Sequence, residues 1–400
     1  MRIVLFADSR WRDSFGLALV KYWIHQLDPD AEVYTPSFDL WQVALEGIKP
    51  DAVVLNHAFG QRNKEILKWA RRNRATSFLM FTEGRPNSDS QVEWYKGQAG
   101  KSDYILSWSD WLSSFFDNAI TTGSPRFDIY QEPYKSLIEP RLSVLDRYGL
   151  PPNRDTVLIA TSFPQAKFAY QNVNFNKADW KDLDVVNIED RTDPLLFSQM
   201  EVAARHEFKV NVAYNISMMG KNLNVIVKPH PMESMSDWQR YCDDNGFLLI
   251  QHDYIFNLIN AADLVVNRAG CLTSQDSWLL NKTAAQIKCE TDVLTGSSLE
   301  AFECKTDTDT SSFLDKYGFA FPNSGRTVAS VILEKTTERN INRTFQDLTK
   351  YQVAQANYDN QHAYPNIGMM HPFKAVTSNV IKNWELSIKD LLDEQRNANC

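Results

Sequence analysis

The sequence predicts an α/β protein made of two Rossmann-like halves, and three observations carry that prediction. Short β-rich apolar runs alternate with amphipathic segments, the signature of βαβ crossovers and a parallel sheet. The alternation stops near residue 139 and restarts near 156, across a segment punctuated by Gly149, Pro151 and Pro152. The 400 residues suffice for about two domains of roughly 150 to 200 residues each.

Taken in order, RIVLFA reads as the first strand. Its apolar run is broken by Asp8 with no small-residue cleavage site after it, so it is not read as a leader peptide. SFGLALVKYWIHQL is helical, AEVYTP a strand, LWQVALEGI a helix and DAVVLNHA a strand. NKEILKWARRN, TSFLMFTEG and SDYILSWS continue the series. EPRLSVLDRYGLPPNRD reads as a helix closed by Gly149 and two prolines, which places the domain boundary near residue 150. The second series begins with TVLIATSF and resumes with NVIVKPHP, GFLLIQHD, YIFNLINAA, DLVVNRAG and KTAAQIK. Between them, residues 164–193 are polar and aromatic with little periodicity, and so long a connection reads as a lid or binding element. HPFKAVTSNVIKNWELSIKDLLDEQRNA is an amphipathic helix pattern, with order expected to end near Glu394, and His371-Pro372 reads as an interdomain loop. The expected domains are therefore 1–150, joined by a last helix at about 373–400, and 151–372.

Composition excludes several classes. No stretch of about 18 apolar residues is present, so no transmembrane helix is expected. Cys242, Cys271, Cys289, Cys304 and Cys400 lack metal-ligand spacing, which fits reduced thiols in a cytoplasmic protein and no structural zinc. A net charge of −8 argues against nucleic acid as a partner while leaving room for a local basic cleft. GxxxxGK[ST], GxSxG, HExxH and GxGxxG are all absent.

Two stretches carry chemistry in the second half. NVIVKPHPME is a buried-strand pattern ending in Lys-Pro-His-Pro; prolines on both sides of His230 remove ladder donors, so the chain stops pairing and holds the imidazole stiffly at the strand end. In an open α/β sheet ligands bind at the carboxyl ends of the strands, which makes Lys228, His230 and Pro231 candidates. In ADLVVNRAGCLTSQDSWLLNKTA, a strand runs through Arg268, Ala269 and Gly270 into a loop with Thr273 and Ser274 and then a helix pattern. Small residues let backbone N–H groups approach a phosphate, and a helix N-terminus adds partial positive charge. Asp276, about two turns into that element, could accept hydrogen bonds from a ribose diol; the plain alternative is a strand-to-helix turn with a solvated Asp276.

In the first half, FTEGRPN places Glu83 at the end of a strand with Gly84 turning the backbone away. Glu83 could be a reactive carboxylate, or it could cap the next segment or pair with Arg85. In GSPRFD, Arg126 could grip a carboxylate or phosphate bidentately, or form a surface pair with Asp128. Asp8, Arg10, Arg12 and Asp13 follow the first strand and should line the same rim. Ser162, ending TVLIATSF, is a further candidate for the donor sugar or its phosphate.

NRAGCLTSQDSWLLNK resembles the nucleotide-binding strand-loop-helix of GT-B glycosyltransferases, with Asp276 where that family has a ribose-holding Glu. KPHP resembles the HP motif of CMP-sugar transferases such as polysialyltransferases and bacterial Kdo transferases, whose His lies at the nucleotide phosphate. FTEG resembles the acidic-residue-Gly motif of sialyltransferase-like GT-B enzymes. ADSRWRDS, KPDAVVLNHAFGQRN, SDYILSWSD, TTGSPRFD and VLIATSF together look like the bacterial surface carbohydrate biosynthesis proteins, related to β-Kdo transferase modules; the likeness spans roughly residues 1–290.

The resemblance implies a GT-B fold, two Rossmann-like domains facing each other across a cleft, acceptor side first and nucleotide-sugar side second. It implies a metal-independent, retaining transfer of Kdo from CMP-Kdo, the CMP-sugar being co-substrate and no cofactor being needed. By the same resemblance Glu83 would be the catalytic carboxylate, with Asp8 the second choice. The acceptor would be a saccharide or lipid-linked saccharide of O antigen or capsule (lipopolysaccharide or capsular polysaccharide). The setting would be the cytoplasm, with room for peripheral association at the inner face of the bacterial inner membrane and for a place as one module of a larger transferase. Two alternatives stay open: a UDP-GlcNAc 2-epimerase-like enzyme, and a non-catalytic scaffold of a polysaccharide assembly complex.

Overall fold

A computed structural model describes residues 1–57, 61–81, 96–97, 101–164, 166, 194–220, 222–231, 233–268, 271–289, 323–339, 343–362 and 375–398. Glu83, Ala269, Gly270, His371 and most of the 164–193 connection lie outside the described residues. The chain runs β1 (Arg2–Leu5), α1 (Arg10–Leu27), β2 (Glu32–Tyr34), α2 (Trp41–Ile48), β3 (Ala52–Leu55), α3 (Gln61–Asn73), β4 (Thr76–Met80), β5 (Tyr104–Ser107), α4 (Asp110–Ser113) and β6 (Ala119–Thr121). It continues with α5 (Arg141–Arg147), β7 (Asp155–Ala160), α6 (Pro194–Met219), β8 (Leu223–Lys228), α7 (Met235–Asn245), β9 (Leu248–Leu249), α8 (Ile255–Ala261), β10 (Leu264–Arg268), α9 (Thr273–Leu279) and β11 (Thr283–Ile287). Three helices follow: α10 (Ser324–Lys335), α11 (Phe345–His362) and α12 (Ser378–Ala398).

The strands form two separate sheets, ordered β2-β1-β3-β4-β5-β6 and β11-β10-β7-β8-β9. Every described pairing is parallel. Parallel strands are covered on both faces, so they read as continuous apolar runs rather than alternating ones. Ile3, Val4 and Leu5 of β1, Ala52 to Leu55 of β3, and Val157, Leu158 and Ile159 of β7 are all buried. In each sheet the order reverses once: between β1 and β3 in the first, and between β7 and β10 in the second. These switch points leave a crevice at the carboxyl ends of the strands.

The described residues fall into two compact units, one from residues 1–137 and 311–400, the other from 138–310. This corrects the expected boundaries twice. Helix α5 belongs with the second unit, because the Glu139 N–H donates to Asn257 Oδ1 at 3.0 Å and Arg141 lies 3.0 Å from Asp263. Gly149, at φ +64°, therefore ends a helix inside that unit and marks no domain boundary. Helices α10 and α11, expected in the second domain, pack on α1 and α2 of the first. The cause is close approach at two glycines. A Cβ on Gly325 would stand 2.5 Å from Leu19 Cγ, and one on Gly47 would stand 2.7 Å from the Asp347 carbonyl and 2.8 Å from Tyr351 Cβ. Helix α12 also lies on α1, with a Lys21–Glu385 ion pair at 2.8 Å and an edge contact between Phe15 and Trp384. It continues to Ala398, past the expected end near Glu394.

Candidate functional site

The second unit gathers its polar groups at the carboxyl ends of β7, β8 and β10. β8 ends at Lys228 and the next residues are Pro229, His230 and Pro231. Glu233, buried three residues past His230, organises this corner. Its Oε1 accepts from the His230 N–H at 3.0 Å, the Phe163 N–H at 3.1 Å and the Thr161 hydroxyl at 2.5 Å. Its Oε2 accepts from Trp238 Nε1 at 2.8 Å. The Glu233 N–H returns to the His230 carbonyl at 2.8 Å. The histidine between prolines is thus fixed through its own N–H, and the loops after β7 and β8 are tied to one carboxylate.

Lys228 is also buried. Its ammonium donates to the Gln251 carbonyl at 2.8 Å, on the β9 side of β8, and burial lowers its pKa to about 8. Arg268, expected as a nucleotide contact, is turned inward. Its guanidinium meets the fully buried Glu201 of α6 at 2.6 and 3.2 Å, donates to the Ser162 carbonyl at 2.6 Å, and lies 4.6 Å from the Phe163 ring centroid. An isolated buried charge is costly, so a guanidinium at this strand end needs its partner in place. Arg268 supports the loop holding Ser162 from beneath, and Ser162 itself is half-buried.

Past β10, Ser274 faces the interior. Its hydroxyl lies 2.9 Å from the Asn267 carboxamide and accepts from Gln286 Nε2 at 2.7 Å. Thr273 opens α9, a helix of 7 residues without a side-chain N-cap bond, so the expected helix-end field is that of about two turns. Asp276 lies in the first turn of α9 and is 1% exposed. It is not the solvated helix residue of the plain alternative, and it sits a turn earlier than expected.

The first unit carries a second polar group at its own switch point. Asp13, in the first turn of α1, accepts from the N–H groups of Asp8 at 3.1 Å and Ser9 at 2.9 Å, and from Arg12 Nε at 2.6 Å. Arg12 also reaches Asp8 at 2.8 Å. Burial alone would lower the Arg12 pKa; the charges of Asp13 and Asp8 outweigh it and hold it raised. From the end of β3, Asn56 donates to Asp13 at 3.4 Å, while its buried Oδ1 has no partner among the described residues. His57 Nδ1 lies 2.7 Å from Asn63 Nδ2. Asp8, the second-choice carboxylate, is therefore held in an ion pair at the strand end.

Arg126 stacks over Phe127 at 5.1 Å. The alternative of an Arg126–Asp128 surface pair is overturned, because Asp128 is 2% exposed and caps α10. It accepts from the N–H groups of Ser324 at 3.2 Å and Gly325 at 2.8 Å, and burial pushes its carboxyl up to about 7.

Sequence reasoning missed Glu233, Glu201 and Asn56, and it placed Asp13 at the rim, where the structure buries it. For Glu233 a signal existed: a Glu three residues after His230, the spacing at which a side chain reaches back to a main-chain N–H in a capping box. Glu201 had none, since nothing in the sequence pairs α6 with β10.

Two separate all-parallel sheets, each with its crevice at a switch point, define the GT-B class, and this chain has that fold. A variant of the wall teichoic acid polymerase TagF superposes with a TM-score of 0.50 at 10% identity, over 84% of this chain and 89% of that one. A UDP-GlcNAc 2-epimerase from Rickettsia bellii gives a TM-score of 0.46 at 12% identity, over 90% of this chain and 98% of that one. At these identities the likeness is one of fold. No protein-family model and no curated protein matches the sequence. Among the described residues, no helix is long and apolar enough to cross a membrane.

Proposed function

We propose that this chain is a glycosyltransferase that moves Kdo from CMP-Kdo, with retention, to a saccharide or lipid-linked saccharide acceptor in bacterial surface polysaccharide synthesis. The observation that carries the reading is the Lys-Pro-His-Pro loop, pinned at the carboxyl end of β8 beside the β7/β10 switch point of a GT-B chain. The likeness of that loop to the HP motif of CMP-sugar transferases, and of FTEG to their acidic-Gly motif, supports the choice of donor. On this reading His230 and the Thr273 edge of the β10 loop hold the CMP phosphate, and Asp276 serves the ribose. The reaction needs no metal or cofactor. It runs in the cytoplasm, at the inner membrane face where a lipid-linked acceptor would be presented.

CMP-activated Kdo carries a good leaving group, so the protein must hold the phosphate, stabilise an oxocarbenium-like centre and move one proton. Retention asks for two displacements. A carboxylate, Glu83 by resemblance with Asp8 second, bonds to the anomeric carbon as the bond to the phosphate oxygen breaks and CMP leaves with the electron pair. The acceptor hydroxyl then displaces the carboxylate and gives its proton to a base. Incubation with CMP-Kdo and an acceptor should release CMP and extend the acceptor. Free sugar released from UDP-GlcNAc without an acceptor, with CMP-Kdo untouched, would select the epimerase reading. Absence of thermal protection by CMP, CDP, UDP and UMP alike would select the scaffold.

A further inference from the structure

We infer that Glu233 is the positioning residue of the nucleotide site, setting the His230 loop and the Thr161–Phe163 loop in register by accepting from both with one buried carboxylate. This rests on the reading of His230 as a phosphate ligand. Four donors converge on the Glu233 side chain from three elements: the loop after β7, the loop after β8, and α7 through Trp238. The side chain is 5% exposed, so water cannot replace it cheaply. The loop after β7 is gripped a second time, where Arg268 holds the Ser162 carbonyl and is itself held by Glu201. Residues 161–163 are therefore clamped from the β8 side by Glu233 and from the β10 side by Arg268. The contacts on residues 161–163 and on His230 land on main chain or on a short hydroxyl, so the clamp fixes backbone position. A site that must meet a phosphate in one geometry gains from such preorganisation. Glu233 touches no substrate in this role; it acts through His230 and through the backbone of residues 161–163.

The test uses the full-length chain and two readouts. Hydrogen exchange of Glu233→Ala should rise by ~10-fold or more in peptides covering 161–163 and 229–233, with β10 and α8 unchanged. Should Glu233→Ala fail to fold, Glu233→Gln keeps one acceptor oxygen and should show a smaller rise in the same two loops. Unchanged exchange there, or a rise spread over the whole second unit, would overturn the inference. In the second readout, CMP affinity should fall ~10-fold or more in Glu233→Gln, since hydrogen bonds to a charged group are lost. The same substitution on a His230→Ala background should produce a smaller fall than in the wild type, whereas a fully additive loss would show that Glu233 does not act through His230. If the loops loosen as expected but wild-type protein does not bind CMP, the donor assignment falls while the clamp stands.

Discussion

Removing the Glu201 carboxylate should be the most damaging single change in the second unit. The pair it forms with Arg268 is 0% and 3% exposed on its two sides, with a closest approach of 2.6 Å. In Glu201→Gln or Glu201→Ala the guanidinium keeps the Ser162 carbonyl and the Phe163 ring but loses its counter-charge in a site water does not reach. Breaking a buried pair from one side costs about 3–5 kcal/mol. For a unit of this size each kcal/mol moves the melting temperature by about 2–4 °C, so the transition should drop by roughly 6–20 °C. Thermal unfolding of the whole chain reads the drop. Hydrogen exchange in residues 155–160 and 264–268 assigns it to the right unit, because a two-unit chain need not melt in one step. A loss below about 1 kcal/mol would refute the reasoning, since the charge would then have found water or another partner. The double substitution Glu201→Leu with Arg268→Met should recover most of the loss, as apolar replacements of buried pairs often do.

Three further outcomes are expected. Asp128 has its folded pKa raised to about 7 by burial from an ordinary 3.8, so its contribution is full below about pH 4 and is lost as pH rises to about 7. The first unit should weaken over that window by on the order of 4 kcal/mol, and Asp128→Asn should flatten the pH profile of its unfolding. Gly47→Ala should destabilise the packing of α11 on α2 by about 1–3 kcal/mol, read from the denaturant midpoint, because the new methyl meets main chain at 2.7 Å. Glu83→Gln should cut turnover by at least ~100-fold with CMP affinity nearly intact, whereas near-normal turnover would remove Glu83 from its role.

The parallel sheets were legible because their strands are buried on both faces: RIVLFA, DAVVLNHA, TVLIATSF and DLVVNRAG each announce β structure within a few residues. β6, only three half-buried residues, carries too little apolar signal to be read. Helix α6 was overlooked because it inverts the usual pattern. Its inner side mixes Glu201 and Arg205 with Ala204, Phe208 and Val212, while Val210, Tyr214 and Met218 face solvent. Periodicity is blurred in a helix whose buried stripe carries two charges and whose outer face carries large apolar residues. The assignment of α10 and α11 to the wrong unit has a similar origin, since an apolar stripe announces burial but not the partner surface. At the candidate site, strand ends and loop residues were readable, but the inward turn of Arg268 and Ser274 was not. Both side chains are claimed by residues distant in sequence, Glu201 and Gln286, and such long-range pairing leaves no local trace.

The most direct measurement is a crystal structure of the chain grown with CMP. The phosphate should lie at the carboxyl ends of β7, β8 and β10, within hydrogen-bond reach of the His230 imidazole. CMP settled away from residue 230, with the Lys-Pro-His-Pro loop unoccupied, would contradict the proposal that this histidine grips the donor nucleotide.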